Sequence, residues 1–167
     1  CDAKKIKSFT LFVSRDAMNI DGLSEATLEK FLAEGFLHTY ADLFHLDRHR
    51  DAIMQMDGFG EKSYQNLEAS VEKARHTNLA RLIYSLGIPN IGIANARMIC
   101  REYKNDLDKM LAAPTEELAA MDGVGPVIAG AFVDFFAQEK NKTALELLLK
   151  EVELEQETFS EEALPLS

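Results

Sequence analysis

Four five-residue stretches of this chain have the composition of a phosphate-binding turn. They read Ile20-Asp21-Gly22-Leu23-Ser24, Met56-Asp57-Gly58-Phe59-Gly60, Ile88-Pro89-Asn90-Ile91-Gly92 and Met121-Asp122-Gly123-Val124-Gly125. They recur about 33 residues apart, the mark of one supersecondary unit used repeatedly. Each places a hydrophobic residue first, Gly or Asn third, a hydrophobic residue fourth and a small residue fifth, and a helical pattern follows. The third position takes Gly because the turn demands positive φ. Asn90 is the best substitute, since Asn tolerates that region. A small fifth position lets a phosphate approach the backbone. With the turns fixed, amides near residues 22–25, 58–62, 90–94 and 123–127 would face phosphate oxygens. Pro126 removes one donor from the last group. Gly22, Ser24, Gly58, Gly60, Asn90, Gly92, Gly123 and Gly125 are therefore the candidate contacts, and nucleic acid is the first partner to consider. A single copy would be explained as a helix–helix turn, where Gly is common. Four copies with one signature, three with an acidic residue before Gly, ask for more.

Cations beside the turns would complete such a grip. Lys62 follows the second turn by two residues, and Lys is a common phosphate binder. Arg15, Lys4, Lys5, Lys7 and Arg97 are further candidates, each with a plain surface role as its alternative. Gly58-Phe59-Gly60-Glu61-Lys62 also resembles the hairpin of DNA glycosylase-lyases, whose lysine attacks a sugar. That chemistry needs a partner aspartate, and residues 70–86 offer Glu72 but no Asp. His45 and His49 lie four apart, but no Cys or third His stands close by, so a solvated helix face explains them better than a metal. Cys100 sits on an apolar helix and reads as a core residue. Cys1 and Cys100 are the two cysteines, which is no disulfide framework and makes a reducing cytoplasm the default.

The elements that must carry these turns read as helices up to about residue 150. Ile6, Phe9 and Val13 fall at helical spacing. Ser24 can cap a helix with Leu28, Phe31 and Leu32 on its apolar stripe. A short segment holds Leu43, Phe44 and Leu46. Tyr64, Leu67, Val71 and Ala74 mark a long helix, and Leu79, Leu82, Ile83 and Leu86 mark the next. Another helix covers 94–103. Thr115 can cap a short helix that ends near Ala120. Pro126 suits the first turn of the following helix, whose expected core face is Val127, Ala131, Phe132 and Phe135. A last helix covers roughly 142–150. No strand is expected. Nearly half the residues are apolar, and no run is long enough for a membrane span. The net charge is −10, but six glutamates of residues 151–167 account for much of it and leave −4 for residues 1–150. That tail reads as a solvated linker. The acidic balance argues against a simple basic DNA-binding domain, so long-range steering would be weak and binding salt-sensitive.

The repeated pattern resembles the helix-hairpin-helix motif of proteins that hold DNA by its backbone. More specifically, Lys4-Lys5-Ile6-Lys7-Ser8-Phe9 with Phe12-Val13-Ser14-Arg15-Asp16-Ala17-Met18-Asn19-Ile20-Asp21-Gly22-Leu23 is similar to a segment of bacterial NAD-dependent DNA ligases just after their zinc finger. Gly60-Glu61-Lys62-Ser63, Asn66-Leu67, Leu79-Ala80-Arg81 and Tyr84-Ser85-Leu86-Gly87-Ile88 extend the resemblance over nearly the whole chain. It implies an all-α fold of four helix-hairpin-helix motifs in two pairs. Residues 1–14 would be a zinc-finger remnant and connecting helix, 15–78 the first pair, 79–150 the second, and 151–167 an acidic linker toward a BRCT domain. It also implies that Cys1 is the fourth ligand of a zinc finger whose other ligands lie upstream. The implied parent is a cytoplasmic enzyme of replication and repair that uses NAD, Mg and Zn to seal nicks in duplex DNA. This chain would hold the duplex, contact the other domains of the same ligase and catalyse nothing itself. The readings beside it are a module of another repair protein, such as a nuclease subunit or glycosylase, and a protein-interaction scaffold. The second turn, with both glycines and Lys62, is expected to grip hardest; the third is expected to serve packing more.

Overall fold

The computed structural model describes residues 2–155. Cys1, the expected zinc ligand, and residues 156–167, most of the expected linker, lie outside the described residues. The architecture is all-α, as the periodicity requires. Helices α1 (Asp2–Val13) and α2 (Glu25–Ala33) flank the first turn. A 3-10 stretch, Tyr40–His49, kinks at His45 and leads through α3 (Arg50–Met54) to the second turn and α4 (Glu61–Ala74). Helices α5 (Leu79–Ser85) and α6 (Ile93–Glu102) flank the third turn. After α7 (Leu107–Ala112), helices α8 (Thr115–Ala119) and α9 (Gly125–Ala137) flank the fourth, and α10 (Glu139–Leu149) closes the helical part.

The local causes are visible in the caps. Ser24 accepts a hydrogen bond from the Thr27 N–H, and Asn78 accepts one from the Arg81 N–H. Asp106 does the same for Lys109 and so starts α7, a helix too short to register as periodicity. Thr115 is not the cap expected of it. Pro114 holds that place in extended backbone, and its carbonyl accepts from the Glu117 and Leu118 N–H groups. The expected core face of α9 is also corrected: Ala129, Phe132 and Phe136 are buried, while Val127 is 68% exposed. That helix is apolar almost all round, so periodicity could not fix its rotation.

One continuous core runs from Phe9 and Phe12 through Tyr64, Leu67, Ile83 and Ile99 to Phe132 and Leu148. Full burial of each large side chain contributes about 1.5–3 kcal/mol. The tight turn after α1 shows why its sequence is so particular. The Ser14 Oγ–H donates to the Leu11 carbonyl, and the Met18 N–H donates to Phe12 O. Ala17 is fully buried, and the guanidinium of Arg81 donates to the carbonyls of Arg15 and Ala17.

Two short strands depart from the all-helical expectation. Strands β1 (His76–Thr77) and β2 (Glu153–Leu154) pair in parallel. The backbone after α10 is therefore docked through residue 155, although Glu153 and Glu155 remain exposed. Glu151 is the anchor. Its carboxylate lies 2.7 Å from His45 Nε2 and 3.1 Å from Arg75 Nη1, and Arg75 also donates to Phe44 O. Burial pushes the Glu151 carboxyl up, but the hydrogen bonds from His45 and Arg75 outweigh it and hold it below its ordinary value. His49 stacks on Phe36 with ring centroids 4.4 Å apart. Neither histidine is the solvated residue expected of the pair.

Candidate nucleic-acid interface

The four turns share one geometry. Gly22, Gly58, Asn90 and Gly123 all have positive φ, at +91°, +85°, +67° and +82°. In the second, third and fourth turns the fourth residue donates its N–H to the carbonyl of the first, at 3.0–3.2 Å. The third position is exposed in every copy. Leu23, Ile91 and Val124 at the fourth position are buried and Phe59 is half-buried, so the hydrophobic residues anchor each turn while its tip faces solvent.

The copies differ in what occupies the space around them. A Cβ placed on Gly22 would touch Leu67 of α4 at 3.7 Å, and the Asp21 N–H donates to Ser70 Oγ of the same helix at 2.7 Å. The first turn thus leans on the helix that follows the second. A Cβ on Gly123 would lie 2.5 Å from Met98 Cε and 2.9 Å from its Sδ. The fourth turn leans in the same way on α6, the helix that follows the third. The third turn is anchored by buried Ile88 and Ile91, and α6 in addition presents Met98 to the fourth.

The second turn has open surroundings. A Cβ on Gly58 or on Gly60 would meet nothing within 4 Å. Gly60 has φ −156° and no conformational need to be glycine. It begins α4 with no side-chain cap, so the amides of Glu61, Lys62 and Ser63 lack helical acceptors by position. Lys62 is exposed and makes no ion pair among the described residues. At the first turn part of the equivalent donor set is used, whereas α6 behind the third turn also starts with no side-chain cap. Ser24 takes one amide of α2, and Asn95 Oδ1 takes the Gly92 N–H at 3.0 Å. Gly125, φ +72°, is open, but Pro126 follows it and offers no N–H. Arg15 is exposed on the turn after α1. Asn95, which also donates to Gly123 O, carried no signal in the sequence beyond standing at the third residue of a helix.

Among the described residues no group of three or more His, Cys, Asp or Glu could hold a metal ion, and no helix is long and apolar enough to cross a membrane. Cys100 is buried. What the fold presents is a set of exposed, backbone-lined turns, each feeding a helix N-terminus. Those features define a helix-hairpin-helix protein, and the helix-hairpin-helix motif model matches residues 81–145, the third and fourth turns with their helices. Over 157 residues the chain is 55% identical to a DNA ligase of Lachnoclostridium phytofermentans, covering 94% of this chain and 24% of that one. It is 49% identical over 161 residues to a DNA ligase of Ruminiclostridium cellulolyticum, and 34% identical over 148 residues to one of Spiroplasma citri. Those matches cover 96% and 89% of this chain and 24% and 22% of the relatives. Over nearly its whole length the chain is similar to a part of DNA ligases, and it spans about a quarter of the length of the curated relatives it matches.

Proposed function

We propose that this chain grips duplex DNA by its phosphates, without reading bases, as part of a bacterial NAD-dependent ligase that seals nicks in replication and repair. The observation that carries the reading is the uncapped start of α4 behind Gly58 and Gly60, open to an approaching group and flanked by Lys62. A helix N-terminus of this kind favours an anion through its amides and its dipole. Contacts of this type position a duplex and carry no sequence information. Gly22, Ser24, Asn90, Gly92, Gly123, Gly125 and Arg15 are proposed to extend the grip around the second turn, which holds hardest. Residues 15–78 and 79–150 act as its two paired halves, and the chain beyond residue 155 leads toward a BRCT domain.

In the whole ligase, AMP from NAD passes through a lysine to the 5′-phosphate of the nick, and the 3′-hydroxyl displaces it. We assign that chemistry, with its NAD and Mg, to parts of the relatives' length that this chain does not span. Cys1 is proposed as one ligand of a zinc finger completed upstream. The residues of this chain hold and orient the nicked duplex for the other domains, in the bacterial cytoplasm, and react with nothing.

Titration against a fluorescein-labelled nicked duplex tests this reading. Affinity should fall as salt rises, with a log–log slope of about −0.9 for each phosphate engaged. No binding at low salt would leave a protein-interaction scaffold. Strand cleavage at an abasic site, abolished by Lys62→Ala, would instead make the chain a lyase.

A further inference from the structure

One side chain spans the two turns of the second pair. Asn95 stands at the third residue of α6, and its two amide atoms face in different directions. Oδ1 accepts from the Gly92 N–H at 3.0 Å, and Nδ2 donates to the Gly123 carbonyl at 3.4 Å. Only this orientation of the amide satisfies both partners, because one is a donor and the other an acceptor. Asp would satisfy the first and repel the second; Ala would satisfy neither. Met98, three residues on and thus on the same face of α6, closes over Gly123 at the distances given above. Just past the end of α6, the Tyr103 hydroxyl donates to Glu117 of α8, and its pKa is pushed up to about 12, burial first and Glu117 second.

We infer that Asn95 is a positioning residue: it holds the third and fourth turns at one fixed spacing so that both engage a single duplex together. The inference rests on the DNA-gripping reading above. Two phosphate-binding turns reinforce each other only when their separation matches that of the phosphates they meet, since the second contact is then intramolecular. A turn that could drift on its own would lose that advantage without losing its shape. The hydrogen bonds of Asn95 touch the backbone of both turns and no candidate phosphate contact is its own side chain, so it acts through Gly92 and Gly123.

The test compares the wild-type chain with Asn95→Ala on the nicked duplex across a salt series, with circular dichroism and a melting curve for each. The mutant should remain folded, because Ala suits a helix interior better than Asn. Its binding should weaken, and its log–log salt slope should shrink by about 0.9 or more, the signature of at least one phosphate no longer engaged. A lower melting temperature with an unchanged salt slope makes Asn95 a purely structural residue and overturns the inference. If Asn95→Ala does not fold, Asn95→Ser, neutral and too short to reach Gly123, is read by the same slope. Wild-type chain that shows no salt-dependent binding sinks the DNA-gripping reading itself. Wild-type binding with a slope that the mutants share sinks only the role of Asn95.

Discussion

The second and fourth turns have nearly the same sequence, Met-Asp-Gly-Phe-Gly against Met-Asp-Gly-Val-Gly, and nearly the same φ at the central glycine, +85° against +82°. Their surroundings are opposite. Gly58 faces open space, while Gly123 lies under Met98 and hands its carbonyl to Asn95. The first turn resembles the fourth, Gly22 resting on Leu67, while the third is tied to α6 through the Gly92 N–H and Asn95. One motif therefore does two things in this fold. In each pair one turn leans on the helix that follows the other, and in the first pair its partner stays open. Gly22 and Gly123 are constrained by conformation and contact, Gly58 by conformation alone, and Gly60 by neither. Its small size is left for something outside the chain to explain.

The difference can be broken by substitution. The largest effect is expected for Gly123→Ala, where a left-handed backbone and the displaced Met98 act together. We expect a loss of about 1–2 kcal/mol by urea unfolding, most of it from the backbone because the tip of the half-exposed Met98 can swing away, and a loss no larger than that of Gly58→Ala would show that Met98 adds nothing. Next is Glu151→Gln, remote from both turns, which should cost about 1–2 kcal/mol at neutral pH by weakening two charge-assisted hydrogen bonds. Because the folded carboxyl lies below its ordinary value of 4.5, this stability is present above that pH and is lost as pH falls through the folded value. Wild type and Glu151→Gln should converge in melting temperature under acid; a constant gap down to about pH 2 would contradict the sign. Gly58→Ala should cost about 1 kcal/mol, less than its counterpart at Gly123, because only the backbone conformation is strained. Equal losses at the two positions would erase the distinction between braced and open turns.

Much of this was legible from residue types alone. Positive φ at Gly22, Gly58, Asn90 and Gly123 follows from which side chains tolerate it, and Ser24 caps α2 because its hydroxyl can reach the Thr27 amide. The core face of α4 followed from spacing, since polar residues fill most of the rest of that helix, and in α5 the expected Leu79, Leu82 and Ile83 are buried together with Ala80 and Ser85. The face of α9 did not, because Val127, Phe132 and Phe135 sit in a helix apolar on nearly all sides and only the neighbouring helices fix its rotation. The docking of residues 151–155 was hidden by their charge. A run of glutamates reads as solvated unless the fold brings Arg75 and His45 to meet one of them, and those lie 76 and 106 residues away in the chain. Asn95 was invisible for the same reason: its partners at Gly92 and Gly123 converge only in the folded pair.

The central claim is that the open second turn binds phosphate through the bare N-terminus of α4. Gly60→Asp tests it most directly, because Asp is a better helix cap than Gly and would occupy those amides with its own carboxylate. Its melting temperature and its affinity for a nicked duplex should move in opposite directions: a fold as stable as wild type or slightly more so, and DNA binding clearly weakened at every salt concentration. A stabilised Gly60→Asp chain that binds DNA as tightly as wild type would contradict the account.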